Sequence, residues 1–136
     1  MIFPIGPEGF LIFANRQDLR RIRLDSSDYT ELVGQQRAAI AVDFHAYKAT
    51  IFWSDVMNEE IRKAPLGNGS AVTSIIKTGL HTPDGIAVDW VNNKIYWTDT
   101  GNDNIEVAGL DGLGRLTLIS DHLDEPRAIA LYPGIG

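Results

Sequence analysis

Short runs in which apolar and polar positions alternate, broken by clusters of Gly, Asn, Asp and Pro, fill most of this 136-residue chain. Ile95, Trp97 and Asp99 fall on one side of an extended segment, with Tyr96 and Thr98 on the other. That period of two, in a run rich in aromatic and β-branched residues, predicts a strand. Ile86–Trp90 precedes it, across a turn at Val91-Asn92-Asn93-Lys94, and Ile105–Leu110 and Leu116–Ile119 follow. The middle of the chain has the same order: strands at 39–44, 50–54, 61–64 and 72–76. The start fits with strands at 11–15, 19–24 and 29–33. No segment carries a helical period over three turns.

The two clearest pairs of strands nearly superimpose. Ile40-Ala41-Val42-Asp43-Phe44 leads to Ile51-Phe52-Trp53-Ser54-Asp55, and Ile86-Ala87-Val88-Asp89-Trp90 leads to Ile95-Tyr96-Trp97-Thr98-Asp99. Asp43 and Asp89 lie 46 positions apart, and Asp55 and Asp99 lie 44 apart. A third copy opens at Ile129-Ala130-Leu131, with Tyr132 where the aspartate is expected. Four short antiparallel strands at this period describe a β-propeller blade, a small sheet that buries its faces only against its neighbours. Residues 1–8 read as an N-terminal extension. Blade-like repeats follow at about 9–38, 39–84 and 85–127, with the start of another at 128–136.

The net charge of -6 argues against non-specific nucleic-acid binding, which needs a positive field. The cluster Arg16, Arg20, Arg21 and Arg23 reads as the solvated face of a strand. With 44% apolar and 22% charged residues the composition is that of a globular domain. The absence of cysteine excludes thiolate metal sites, catalytic thiols and internal disulfides, though not an extracellular setting. No apolar run approaches the roughly 20 residues of a membrane span, and the opening segment is not a convincing secretory signal. His45, His81 and His122 have no metal-ligand spacing, and no nucleophile or phosphate-loop motif occurs. No catalytic residue, cofactor or metal is therefore expected.

Asp55 and Asp99 end apolar strands before polar turns, where a carboxylate can accept backbone N–H bonds. Recurrence at the blade period favours this structural use over catalysis or calcium binding. Asp43 and Asp89 lie in apolar strands and are expected to bond backbone or a neighbouring blade. Trp53, Trp90 and Trp97 are expected to pack between blades. Asn68-Gly69-Ser70 is a glycosylation sequon in a predicted turn.

The Tyr96-Trp97-Thr98-Asp99 motif and its variant Phe52-Trp53-Ser54-Asp55 resemble the YWTD β-propellers of the low-density lipoprotein receptor family. Ala14-Asn15-Arg16 with Asp18-Leu19-Arg20, Pro83–Trp90 and Glu125–Ala130 resemble the first propeller of its Wnt co-receptor and agrin-receptor branch. The likeness covers roughly residues 9–133. It implies an all-β fold, a partial six-bladed propeller of about two to three four-stranded blades. The remaining blades and an epidermal-growth-factor-like module would lie in a parent single-pass receptor, outside the cell and with no membrane insertion by this segment. Half a ring leaves two blade faces uncovered, so the isolated chain is expected to be marginally stable or to self-associate.

In that family, loops on one rim bind extended peptides and protein ligands. The matching positions here are Arg16, Val56, Met57, Glu59, His81, Thr82, Asp84, Gly101 and Arg127. The partners implied are Wnt, Wnt-antagonist or agrin-like proteins. Arg37, Ala38 and Gly101 depart from the acidic residues of the co-receptors. Two alternatives are a metal-dependent, lactonase-like propeller enzyme and a structural fragment without activity. The first needs acidic and amide ligands converging from several blades.

Overall fold

The structure, a computed structural model, describes residues 2–5, 8–26 and 28–134, with side chains described from residue 9. Every regular element among these residues is a β-strand. Twelve strands form three four-stranded sheets in which consecutive strands are neighbours. Sheet 1 contains β1 (Ile2–Ile5), β2 (Glu8–Ala14), β3 (Leu19–Arg23) and β4 (Tyr29–Val33). Sheet 2 contains β5 (Ala39–His45), β6 (Thr50–Asp55), β7 (Glu60–Pro65) and β8 (Thr73–Ile76). Sheet 3 contains β9 (Pro83–Asp89), β10 (Lys94–Asp99), β11 (Asn104–Gly109) and β12 (Leu116–Ile119). Within the stretch 1–8 that the pattern sets apart as an extension, Ile2–Ile5 pairs antiparallel with β2. Residues 128–134 carry no strand.

The sheets stack face to face in chain order. Phe10, Ile12, Leu19 and Val33 of sheet 1 meet Ala39, Phe44, Ile51, Trp53 and Ala64 of sheet 2. Phe52, Ile61 and Ile76 on the other face of sheet 2 meet Ile86, Val88, Ile95, Trp97 and Ala108 of sheet 3. The strand alternation explains this: Phe52 and Trp53 are sequence neighbours, so they point into different interfaces. Both Trp53 and Trp97 are fully buried. Trp90 does not pack between sheets as expected. It lies in the β9–β10 turn and is 44% exposed. The alternating pattern of β9 ends at Asp89, so the next side chain leaves the sheet.

The two repeated aspartates of the inner strands occupy different registers. Asp43 pairs with Phe52, whereas Ala87, not Asp89, pairs with the equivalent Tyr96. Both connections have four residues, 46–49 and 90–93, but Asp43 stands two positions before the end of β5 whereas Asp89 is the last residue of β9. Asp43 Oδ2 accepts the Val88 N–H across the interface at 2.7 Å, and Oδ1 accepts the Phe44 N–H. Burial pushes the Asp43 carboxyl above its ordinary range despite these two bonds. Asp89 ends β9 and accepts N–H bonds from Val91 and Asn92 in its own turn. His45 takes the place of Asp89 in sheet 2, accepting the Lys48 N–H at Nδ1. Nδ1 is thereby the unprotonated nitrogen, and Nε2, 3.3 Å from Asn93 Oδ1, is the donor.

Candidate functional site

In an antiparallel sheet alternate connections lie on the same edge. The β2–β3, β6–β7 and β10–β11 turns therefore share one rim with the β4–β5 and β8–β9 loops and the segment after β12. Two carboxylates organise this rim by the same hydrogen-bond pattern. Asp55 Oδ1 accepts N–H bonds from Ala38, Met57 and Asn58. Its Oδ2 accepts from Arg37 N and Asn58 Nδ2. Asp99 Oδ1 accepts from Thr82, Gly101 and Asn102 N–H, and Oδ2 from His81 N and Asn102 Nδ2. Both side chains are fully buried. Each thus ties the turn that leaves its strand to the loop that enters its sheet. Burial raises the Asp55 pKa, but the backbone N–H bonds outweigh it and hold the carboxyl below its ordinary value.

All nine rim positions chosen from the resemblance lie on this edge. Arg16 has a left-handed backbone (φ 61°), and its carbonyl accepts the Ala39 N–H, joining sheets 1 and 2. Val56 donates its N–H to Ala38 O, and Met57 beside it is 49% exposed. Glu59 and Asp103 close their turns with matching left-handed backbones (φ 55° and 52°). His81 is exposed, and its Nδ1 lies 2.8 Å from Thr82 Oγ1. A Cβ on Gly101 would overlap that imidazole, so the small residue and the ring are mutually dependent. Asp84 lies inward. It accepts the Thr100 hydroxyl at 2.7 Å and faces Arg127 Nη1 at 3.3 Å. Arg127 itself is largely exposed, with Glu125 at 3.8 Å.

Several rim residues escape a sequence reading. Gln36 is buried, and its Oε1 accepts both Trp53 Nε1 and Arg62 Nη1. Leu80 stands at the equivalent point before the next sheet, and Trp97 Nε1 has no hydrogen-bond partner. The Arg115 guanidinium instead lies 5.5 Å from the Trp97 ring centroid. Thr98 and Thr100 donate to the carbonyls of Arg127 and Pro126 and bind the segment after β12 to the rim. The threonine of the tetrapeptide was the available signal for Thr98. Gln36 had none, because a single glutamine in a polar loop has no periodic counterpart. Among the described residues no three His, Asp or Glu side chains cluster as a metal site. Asn68 is exposed on the β7–β8 connection, at the opposite edge from the rim.

Stacked four-stranded sheets, with a clamping aspartate at the end of the second strand in sheets 2 and 3, define the chain as part of a YWTD-type β-propeller. The model of the low-density lipoprotein receptor repeat class B matches residues 49–90 and 93–133, and the chain belongs to that family. It is 48% identical to low-density lipoprotein receptor-related protein 5 of Mus musculus, over 99% of this chain and 9% of that protein. Its similarity to the Homo sapiens protein of the same name is 48% over 93% of the chain and 8% of that protein. A chain in a solved nidogen/laminin complex superimposes with a TM-score of 0.85 at 31% identity, covering 91% of this chain and 49% of that one. The chain therefore spans under a tenth of the length of these curated relatives.

Proposed function

We propose that this segment of a low-density lipoprotein receptor-related propeller is an extracellular, non-enzymatic binding module whose rim captures extended stretches of protein ligands. The ligands are of the Wnt, Wnt-antagonist or agrin type. The remaining blades and an epidermal-growth-factor-like module complete the receptor ectodomain. The observation that carries this reading is the gathering of nine candidate contact residues on one edge, where the Asp55 and Asp99 clamps hold the loops entering sheets 2 and 3 and the turns leaving β6 and β10. Backbone held by buried carboxylates presents side chains with little ordering cost on binding. Arg16 and Arg127 can pair with acidic side chains or backbone carbonyls, Glu59 with amides, and Met57 supplies adaptable apolar contact. Asp84 acts by placing Arg127. Asn68 carries a glycan in this reading, away from the contacts, and a mass decrease on treatment with peptide N-glycosidase tests that.

The test is surface plasmon resonance of the secreted chain against a recombinant agrin fragment and a Wnt-antagonist peptide. Met57→Ala and Arg127→Ala should each weaken binding by about tenfold, close to 1.4 kcal/mol. Unchanged affinity in both variants, or no binding of either probe, overturns the rim assignment.

A further inference from the structure

The joint between sheets 1 and 2 differs at one point from the joint between sheets 2 and 3. Strand alternation turns Arg21, together with Leu19, into the first joint, so Arg21 does not lie on a solvated strand face. Its guanidinium stands 5.5 Å from the Phe10 ring centroid. Its Nε is buried and has no hydrogen-bond partner among the described residues. In the second joint the same position is Lys63, because Leu19 pairs with Val33 as Ile61 pairs with Ile76. Lys63 Nζ donates to Leu110 O at 3.4 Å. Leu66 is the counterpart of Leu110: their N–H groups bond Ala49 O and Asn93 O, the last residues of matching turns. Gly69 is the counterpart of Gly112, since a Cβ on either would overlap a carbonyl of the preceding sheet, that of Leu32 or Ile75. Two residues separate Leu66 from Gly69, but only one separates Leu110 from Gly112, so the turn in sheet 2 carries an insertion. Beside it opens a cleft of about 550 Å³, lined by Arg21, Thr30, Leu32, Ala49, Leu66 and Gly67. Glu31 borders the cleft as well, but it pairs with Arg20, so its side chain lies on the other face of sheet 1.

We infer that this cleft is a binding site for a small carboxylate with an aliphatic body. A buried donor without a partner is destabilising, and an acceptor relieves it. The Leu110 carbonyl supplies that acceptor in the second joint; in the first a ligand oxygen does so. The guanidinium offers Nε–H and an adjacent Nη–H as two parallel donors, which match the two oxygens of a carboxylate. Leu32, Ala49 and Leu66 form apolar walls for the rest of the molecule, the usual mix of a ligand pocket. One cation in the cleft and a net charge of -6 on the chain favour a singly charged ligand over sulfate or phosphate. The cleft lies between sheets 1 and 2, at the edge opposite the rim. Further blades beyond sheets 1 and 3 leave it unchanged, and its failure would not touch the rim assignment.

Isothermal titration calorimetry of the 136-residue chain with isocaproate tests this. The expected result is one saturable site with a Kd of about 1 mM. Isocaproamide, the neutral isostere, and inorganic sulfate should each bind at least about tenfold more weakly. Arg21→Gln removes the charge, and Gly67→Leu fills the cleft from a position where a Cβ meets no atom within 4 Å. Each should weaken isocaproate binding at least about tenfold, with unchanged far-ultraviolet circular dichroism. If Arg21→Gln does not fold, Gly67→Leu alone decides. No saturation by about 50 mM, isocaproamide or sulfate binding as tightly as isocaproate, or an unchanged affinity in Gly67→Leu overturns the inference.

Discussion

Replacing Asp99 by asparagine removes one charge and changes no volume, so it isolates the clamp. The amide oxygen can still accept from Thr82, Gly101 and Asn102, the partners of Oδ1. The amide nitrogen then faces two donors, His81 N at 2.8 Å and Asn102 Nδ2 at 3.0 Å. Asn102 cannot simply turn its amide over, because the same nitrogen donates to Gly79 O. Two charge-assisted bonds are lost at about 1.5 kcal/mol each, and the other three weaken as the acceptor becomes neutral. The expected loss of stability is about 3–5 kcal/mol. With a urea m-value of about 1–3 kcal/mol/M, the midpoint falls by roughly 2 M. Urea unfolding followed by tryptophan fluorescence, at one fixed chain concentration, reads the shift. Asp103→Asn is the control on the same rim, since Asp103 accepts one exposed bond from Glu125 N. It should move stability by less than about 0.5 kcal/mol. An Asp99→Asn protein within about 1 kcal/mol of the parent would refute the clamp as the source of rim rigidity.

Three other outcomes follow from the same geometry. Gln36→Leu places in sheet 2 the residue found at Leu80, strips Trp53 Nε1 and Arg62 of their shared acceptor, and should cost about 1–3 kcal/mol in the same unfolding assay. Trp97→Ala should cost about 3–5 kcal/mol, while Trp90→Ala stays within about 0.5 kcal/mol; equal effects would contradict their opposite burial. The Asp18, Asp55, Glu60 and Asp89 carboxyls are held below their ordinary values in the folded chain. The unfolded chain binds their protons first, so stability is complete above the ordinary value of 3.8 for Asp55 and is lost as pH falls through the lowered one. Asp43 has the opposite sign: its contribution declines as pH rises above 3.8 toward the raised folded value. Unfolding free energy measured from about pH 6 to pH 3 should therefore fall on acidification, and Asp55→Asn should flatten that fall.

The strand pattern and the repeat were legible without coordinates, because a period of two and a spacing near 45 are properties of the chain itself. They specified all-β blades, the order of strands from residue 11 to residue 119, and the recurrence of Asp55 and Asp99 at strand ends. The rim followed from resemblance plus alternation, since each second turn of an antiparallel meander reaches the same edge. What sequence could not supply depends on contacts between distant segments. Asp43 and Asp89 look equivalent as letters, but Asp43 lies two positions inside its strand and reaches across to Val88, whereas Asp89 ends its strand and caps its own turn. Gln36 and Trp53 meet only because the joint between sheets 1 and 2 brings a loop over a buried indole. Trp90 and Trp97 have the same composition value and opposite burial, because only one lies inside a paired strand. Local patterning decided which segments become strands; the stacking of sheets decided which polar groups were buried and therefore which partners they had to find.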